Sequence, residues 1–181
     1  IEGATKTRGK IDGATVAVLA ATGPVGQRIA RLLLGLGGVK VRVGSRRLDK
    51  AQATASLLKS SGKPEPEPFA TAEPADLQRG IEGADVIIAA GAAGVTLVPS
   101  ALRKSSGAKV LVDLNAVPPL GIEGVEATDR ARDLDGALAW GALGVGGTKM
   151  KIHKKAIAEL FTSNDRVIDA EECLQIGRSL G

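Results

Sequence analysis

The sequence predicts an α/β fold: a parallel, doubly wound sheet with additional C-terminal helices. Three observations predict it. Short β-branched apolar runs alternate with helix-spaced segments over most of the chain, a glycine turn joins the first run to the first helical segment, and the last two segments are helical with no strand after them. The length of 181 residues suits one domain with a real core and an appended element.

Residues 15–20 (TVAVLA) form the first strand. In residues 27–34 the apolar positions Ile29, Leu32 and Leu33 recur at helical spacing, so strand, glycine turn and helix follow in order. Residues 39–43 (VKVRV) are the second strand. A polar turn, GSRR, leads into a helix over 48–58 whose Ala51, Ala55 and Leu58 share a face and whose end is marked by Ser60, Ser61 and Gly62. Residues 63–68 (KPEPEP) are an extended connector, since proline removes donors and restricts the residue before it. A short strand near Phe69, a helix over 75–81, a strand over 85–90 (DVIIAA), a helix over 99–104 and a buried strand over 109–113 (KVLVD) follow. Residues 114–124 are irregular, 138–140 are the last strand, and helices over 149–161 and 169–180 close the chain.

Composition narrows the function classes. Phe 2, Trp 1 and Tyr 0 leave almost no stacking platforms, which argues against nucleic acid in spite of a net charge of +4. One histidine, His153, excludes a multi-His metal site, and one cysteine, Cys173, excludes an intrachain disulfide. No apolar run has the length of a membrane span and the start lacks a signal-peptide core, so a cytoplasmic location is expected. The chain opens on Ile1 rather than Met, which reads as a piece of a longer protein or a processed one.

The sharpest local signal is Ala21-Thr22-Gly23-Pro24-Val25-Gly26, a G-x-G-x-x-G turn with alanine at its first glycine. Gly23 would let the backbone approach a pyrophosphate, Gly26 would allow close helix packing, and the helix N-terminus offers unpaired amides; the fold expected is Rossmann-like. The second strand ends Ser45-Arg46-Arg47 with no acid before Asp49. An acid there would hold the ribose 2′-OH of NAD, whereas serine and arginine suit a 2′-phosphate, so NADP is favoured. The ends of the later strands, with Ala90, Gly91 and Ala92, then Asn115, then Gly144, should line the same crevice. Each could equally be a tight turn, and Asn115 is the strongest of them because its amide can orient a carboxamide. Lys149 follows the glycine-rich turn and falls at the crevice rim, with His153 one helical turn beyond. Neither His153 nor Cys173 has the neighbours a nucleophile needs.

Together LAATGPVGQRIA, VRVGSRRLDKAQA, AAGAAG, DLNAVPPLGIEG and GALGVGGTKMKIHKKAIAELF resemble the bacterial NAD(P)-dependent methylene-tetrahydromethanopterin dehydrogenases, from about residue 11 to residue 180. DLNAVPPLGI and GALGVGGTK are the specific segments; the glycine turn is generic. The resemblance implies hydride transfer from methylene-tetrahydromethanopterin to NADP, giving the methenyl form in one-carbon metabolism. It implies that Lys149 stands at a catalytic lysine, that the protein is a homo-oligomer, and that a preceding α/β domain supplies much of the pterin site. Residues 1–12 would then be the exit from that domain, 13–147 the NADP-binding domain and 148–181 C-terminal helices packing back toward it. Apolar positions Ile152, Ile157, Leu160, Leu174 and Ile176 would lack part of their cover. Two other readings stay open: another two-domain NADP dehydrogenase of shikimate-dehydrogenase type, and an NADP-sensing or scaffold module.

Overall fold

The computed structural model describes residues 1–59 and 62–180, so the helix end expected at Ser60 and Ser61 lies outside the described residues. A single sheet runs through it. β1 (Thr15–Leu19) is central, flanked by β2 (Lys40–Ser45) and β4 (Val86–Ala89), with β3 (Glu67–Ala70) beyond β2 and β5 (Val110–Asp113) beyond β4. β7 (Ala137–Trp140) pairs with β5, and β6 (Arg130–Leu134) forms the far edge. The order β3-β2-β1-β4-β5-β7-β6 is parallel throughout except at β6. It is a mostly parallel, Rossmann-like α/β sheet, as the alternation of elements predicts.

Alternating residues of β1 explain why the strand reads as continuously apolar. Val16 and Val18 face one layer of helices, and Ala17 and Leu19 face the other, all fully buried. On the first face α2 (Pro24–Gly35) contributes Ala30, Leu33 and Leu34, and α3 (Leu48–Leu58) contributes Ala55 and Leu58. On the second face α4 (Pro74–Ile81) packs Leu77 and Ile81 against Ile87 and Leu111. The short helix α5 (Ser100–Ser105) bridges β4 and β5.

Three features depart from the sequence reading. The chain begins with a helix, α1 (Glu2–Arg8), that docks on the sheet: Ala4 is buried, and a Cβ on Gly3 would stand 2.8 Å from Trp140 and Val110. β6 is an additional, antiparallel strand. Its RARDL sequence carries too much charge to read as a strand, because only one edge of it is paired. The two-residue link Asp135-Gly136, with φ of 54° and 82°, is a type I′ hairpin and was its local signal. α6 (Gly146–Leu160) starts three residues ahead of the expected 149, with Gly146 and Gly147 inside its first turn despite their poor helix propensity.

α7 (Ala170–Ser179) is set by a capping box between Asp169 and Glu172. Of the apolar positions expected to lack cover, Ile176 is buried, because α7 turns it inward, and Ile152 and Leu174 are half-buried. Ile157 and Leu160 are exposed, as are Phe161 and Val167. No helix among the described residues is long and apolar enough to cross a membrane.

The α1 contact gives the first prediction. Gly3→Val forces a branched side chain against the Trp140 ring and should cost about 1–3 kcal/mol. Trp140 is the only tryptophan, so its emission should shift to the red as α1 lifts, and urea melts of the variant check the loss of stability.

Candidate nucleotide crevice and its surroundings

β1 continues through α2 into β2 on one side, while the neighbour on its other side, β4, is reached through α4. The strand order therefore reverses at β1, and the carboxyl ends of β1 and β4 open a crevice between two diverging helical connections. Ala90 N donates to Leu19 O (3.2 Å) and ties the two strand ends together.

The glycine turn is built at the mouth of this crevice. Ala20 takes the left-handed conformation with φ 55°, an expensive choice for a residue with a side chain, and Ala21 N donates to Gly44 O (2.9 Å). Gly26 meets this turn so closely that a Cβ would fall 2.6 Å from Ala21 Cα and 2.7 Å from Ala20 O. Gly23 differs. A Cβ there would find its nearest protein atom at 3.6 Å, with φ −77° and ψ 163°, so nothing in the protein requires glycine at 23. Pro24 opens α2 and has no N–H; the amides of Val25 and Gly26 have no acceptor among the described residues and no side chain caps them. Gln27 Nε2 donates to Thr22 O (2.9 Å) and fixes the loop. Unpaired amides at the positive end of a helix, beside a glycine that presents no side chain, fit a pyrophosphate.

At the end of β2, Ser45 is buried and its Oγ accepts from Arg47 N (3.5 Å). The two arginines are not equivalent. Arg47 forms a bidentate pair with Asp49 (3.0 and 2.6 Å), and these hydrogen bonds hold the Asp49 carboxyl below its usual range. Arg46 is exposed and makes no ion pair with any described residue.

Loops after β4 and β5 are held by two polar residues. Asp113 is completely buried at the end of β5, and its carboxylate accepts from Asn115 N (2.9 Å) and Ile122 N (2.7 Å). Asn115 is buried too. Its amide nitrogen reaches Ala92 O and Pro119 O (both 3.4 Å), and its oxygen accepts from Val117 N (3.0 Å), so its groups are engaged in joining the β4 loop to the β5 loop. Gly91 gives way to Leu97, whose Cδ1 would lie 2.7 Å from a Cβ. Sequence reasoning passed over Asp113; an acid closing a buried apolar strand just before an irregular loop was the available signal.

The turn after β7 is packed by backbone. A Cβ at Gly144 would meet Asp129 O and one at Gly141 would meet Glu126 O, both at 2.0 Å or less. Asp129 organises the facing turn, accepting from Glu126 N (2.7 Å) and pairing with Arg132, which also donates to Gly124 O (2.6 Å). Burial pushes the Asp129 carboxyl up, but Arg132 and the Glu126 amide outweigh it and hold the group below its ordinary value. Lys149 lies in the first turn of α6, exposed, and together with Gly144 and His153 it lines a cavity of about 1000 Å³. None of Thr22, Gly23, Pro24, Val25, Gly26, Ser45, Arg46, Arg47, Ala90, Gly91, Ala92 or Asn115 lines that cavity. Thus Gly144 and Lys149 are brought together, apart from the residues around the glycine turn.

Known proteins show the same organisation. A family model described as "NADP oxidoreductase coenzyme F420-dependent" matches residues 15–117, which hold β1 to β5 and the glycine turn. The bifunctional protein MdtA of Methylorubrum extorquens is 42% identical over 144 residues, 79% of this chain; the chain spans 50% of that protein. Among solved structures, quinate dehydrogenase from Corynebacterium glutamicum in complex with NAD matches 98% of this chain and 59% of its own at a TM-score of 0.58 and 18% identity. Ligand-free 5-ketofructose reductase of Gluconobacter sp. strain CHM43 matches 98% and 60% at a TM-score of 0.55 and 20% identity. These structures share the fold.

Two glycines of the turn are expected to respond differently. Gly23→Ala should leave stability within about 1 kcal/mol, because the conformation and space admit a methyl, and should weaken nicotinamide dinucleotide binding about tenfold or more by lengthening an amide–phosphate hydrogen bond. Gly26→Ala should destabilise the fold itself by about 1–3 kcal/mol through its backbone clash. Paired urea melts and calorimetric titrations separate the two. The Asp129–Arg132 contribution has its own signature. A carboxyl whose folded pKa is depressed stabilises fully above its unfolded value near about 4 and loses that stability as the pH falls below it. Asp129→Asn should flatten the acid limb of the stability profile.

Proposed function

The chain belongs to the NADP oxidoreductase, coenzyme F420-dependent family, and from that premise we propose that it is the cofactor-binding part of an NADP-dependent methylene-tetrahydromethanopterin dehydrogenase. It carries a nicotinamide-dinucleotide oxidoreductase domain. The NADP preference rests on one observation, the end of β2: no acid reaches out to a ribose hydroxyl, and Arg46 has no partner among the described residues. The pterin substrate rests on the family resemblance carried by the DLNAVPPLGI and GALGVGGTK segments.

In this reading the amides of Val25 and Gly26 hold the pyrophosphate, Thr22 and Gly23 let it approach, and Arg46 with Ser45 receives the 2′-phosphate. Arg47 is a weaker candidate because Asp49 already holds it. Ala90, Gly91 and Ala92 face the middle of the cofactor, and Asn115 acts by fixing the loops on either side of the nicotinamide end. When bound, the nicotinamide supplies the hydride acceptor. The chain's own task is to orient and to exclude water, since proximity alone supplies much of the rate of such a transfer. Lys149 sits on the substrate side, and Gly144 allows the loop before it to pack tightly.

The other wall of the pterin cleft belongs to a second domain, in keeping with a chain that spans half of MdtA. The exposed Phe161, Val167 and Ile157 are surface for that domain or for a second subunit of a cytoplasmic homo-oligomer. The rival shikimate-dehydrogenase type shares the fold with this chain: shikimate 5-dehydrogenase from Listeria monocytogenes matches 96% of it at a TM-score of 0.57 and 17% identity.

Arg46→Ala should weaken NADP by about ten- to hundredfold, the worth of a charge-assisted hydrogen bond, and leave NAD nearly unchanged. Arg47→Ala should do less. Equal losses for both cofactors in calorimetric titration would remove the 2′-phosphate assignment. The 181-residue chain alone should bind cofactor and produce no NADPH from methylene-tetrahydromethanopterin, while in a protein with both domains Lys149→Ala should lower turnover and leave NADP affinity within a few fold.

A further inference from the structure

The cavity of about 1000 Å³ lies on the face of the sheet roofed by α1, α2, α6 and α7. Its floor is one face of three strands, with Val16, Val86 and Val110 buried and Ile88 and Val112 half-buried. Its walls are aliphatic as well, with Ile29 and Leu32 from α2, Ile152 from α6 and Leu174 from α7. The space opens to solvent, and it has the volume and apolar lining of a site for a small organic ligand.

The charges at its edge are unbalanced. The side chains of Arg28 and Lys149 line it and make no hydrogen bond or ion pair with any described residue, and Arg130 lines it near Glu2. Three cationic side chains on the lining face two carboxylates, one of them in an ion pair and the other a charged helix cap. Glu2 is paired with Lys6 at 2.8 Å, and Asp169 accepts the amide of Glu171 as the cap of α7. An aliphatic chamber with surplus cations at its edge is complementary to a molecule with an apolar body and one negative end.

We infer that this cavity is a binding site for an amphipathic monoanion, an aliphatic or aromatic carboxylate of drug-like size, whose body rests on the valine floor and whose carboxylate meets Arg28 and Lys149. The site is distinct from the nucleotide crevice, whose glycine turn and Ser45 take no part in its lining. The inference is independent of the cofactor reading; it shares Lys149 with the pterin reading, and Arg28, which takes no part in that reading, carries the test.

The chain carries its own reporter. Trp140, the only tryptophan, lines the cavity, and there is no tyrosine to obscure its emission. Titrating the 181-residue chain with decanoate should change Trp140 emission saturably, and protonated decylamine, with the same body and opposite charge, should bind more weakly. Arg28→Ala, on an exposed position of α2, should weaken decanoate roughly three- to tenfold, the range of one hydrogen bond, and leave decylamine unchanged. Val112→Phe should weaken both by filling the floor; should that variant fail to fold, Arg28→Ala carries the test. Saturating NADP, in a separate arm, should leave decanoate binding in place. The inference is overturned by an emission that does not saturate, by equal affinity for the two probes, or by displacement with NADP. Sedimentation showing that decanoate binds only as a dimer comes apart would also overturn it, since the face would then be an interface between copies of the chain.

Discussion

The carboxyl edge of the sheet depends on one contact, that of Gly26 in α2 with the backbone of Ala20 and Ala21. Any side chain at 26 would press on a carbonyl and an α-carbon at under 3 Å, so α2 could not begin where it does. With that approach in place, the first turn of α2 aims two unpaired amides at the reversal point of the strand order. Ala21 N also bonds to Gly44 O, which couples the turn to the end of β2 and so to Ser45 and Arg46. The unpaired amides at one end and, among the described residues, an unpartnered guanidinium at the other follow from the same short segment of chain.

The loops beyond this turn are held by buried carboxylates, each taking up backbone amides that have no strand partner. Asp113 does this after β5 and Asp129 does it opposite the turn after β7. Burying a carboxylate is costly unless it is hydrogen-bonded, and both are, so each ties its irregular segment, 114–122 or 124–129, to the end of the sheet. Asn115 extends this scaffold across to Ala92. The glycines at 141 and 144 are then explained by packing against the Asp129 turn, without reference to a ligand.

Most of the sheet was legible because parallel strands buried on both faces are apolar runs, and TVAVL, VIIA and VLVD are such runs. β6 was not, since an edge strand exposes charged side chains and carries no such run; its hairpin glycine was the sole clue. The glycine turn and the absence of an acid after β2 were readable in sequence because they are local. The pairing of Arg47 with Asp49 and the full engagement of Asn115 were not, because each depends on where a side chain finds a partner rather than on residue type. The cavity beneath α1, α2, α6 and α7 was hidden for a further reason: its lining comes from elements far apart in sequence, and each aliphatic residue in it reads as ordinary core.

The central claim is that the crevice between β1 and β4 takes NADP with its pyrophosphate on the first turn of α2 and its 2′-phosphate at Arg46. At 18.4 kDa the chain suits amide chemical-shift mapping by NMR. Titration with NADP is predicted to move the amides of Val25, Gly26 and Arg46, and titration with NAD to move the first two while leaving Arg46 near its free position. Shifts confined to α6 and α7, or an Arg46 amide that responds equally to both cofactors, would contradict it.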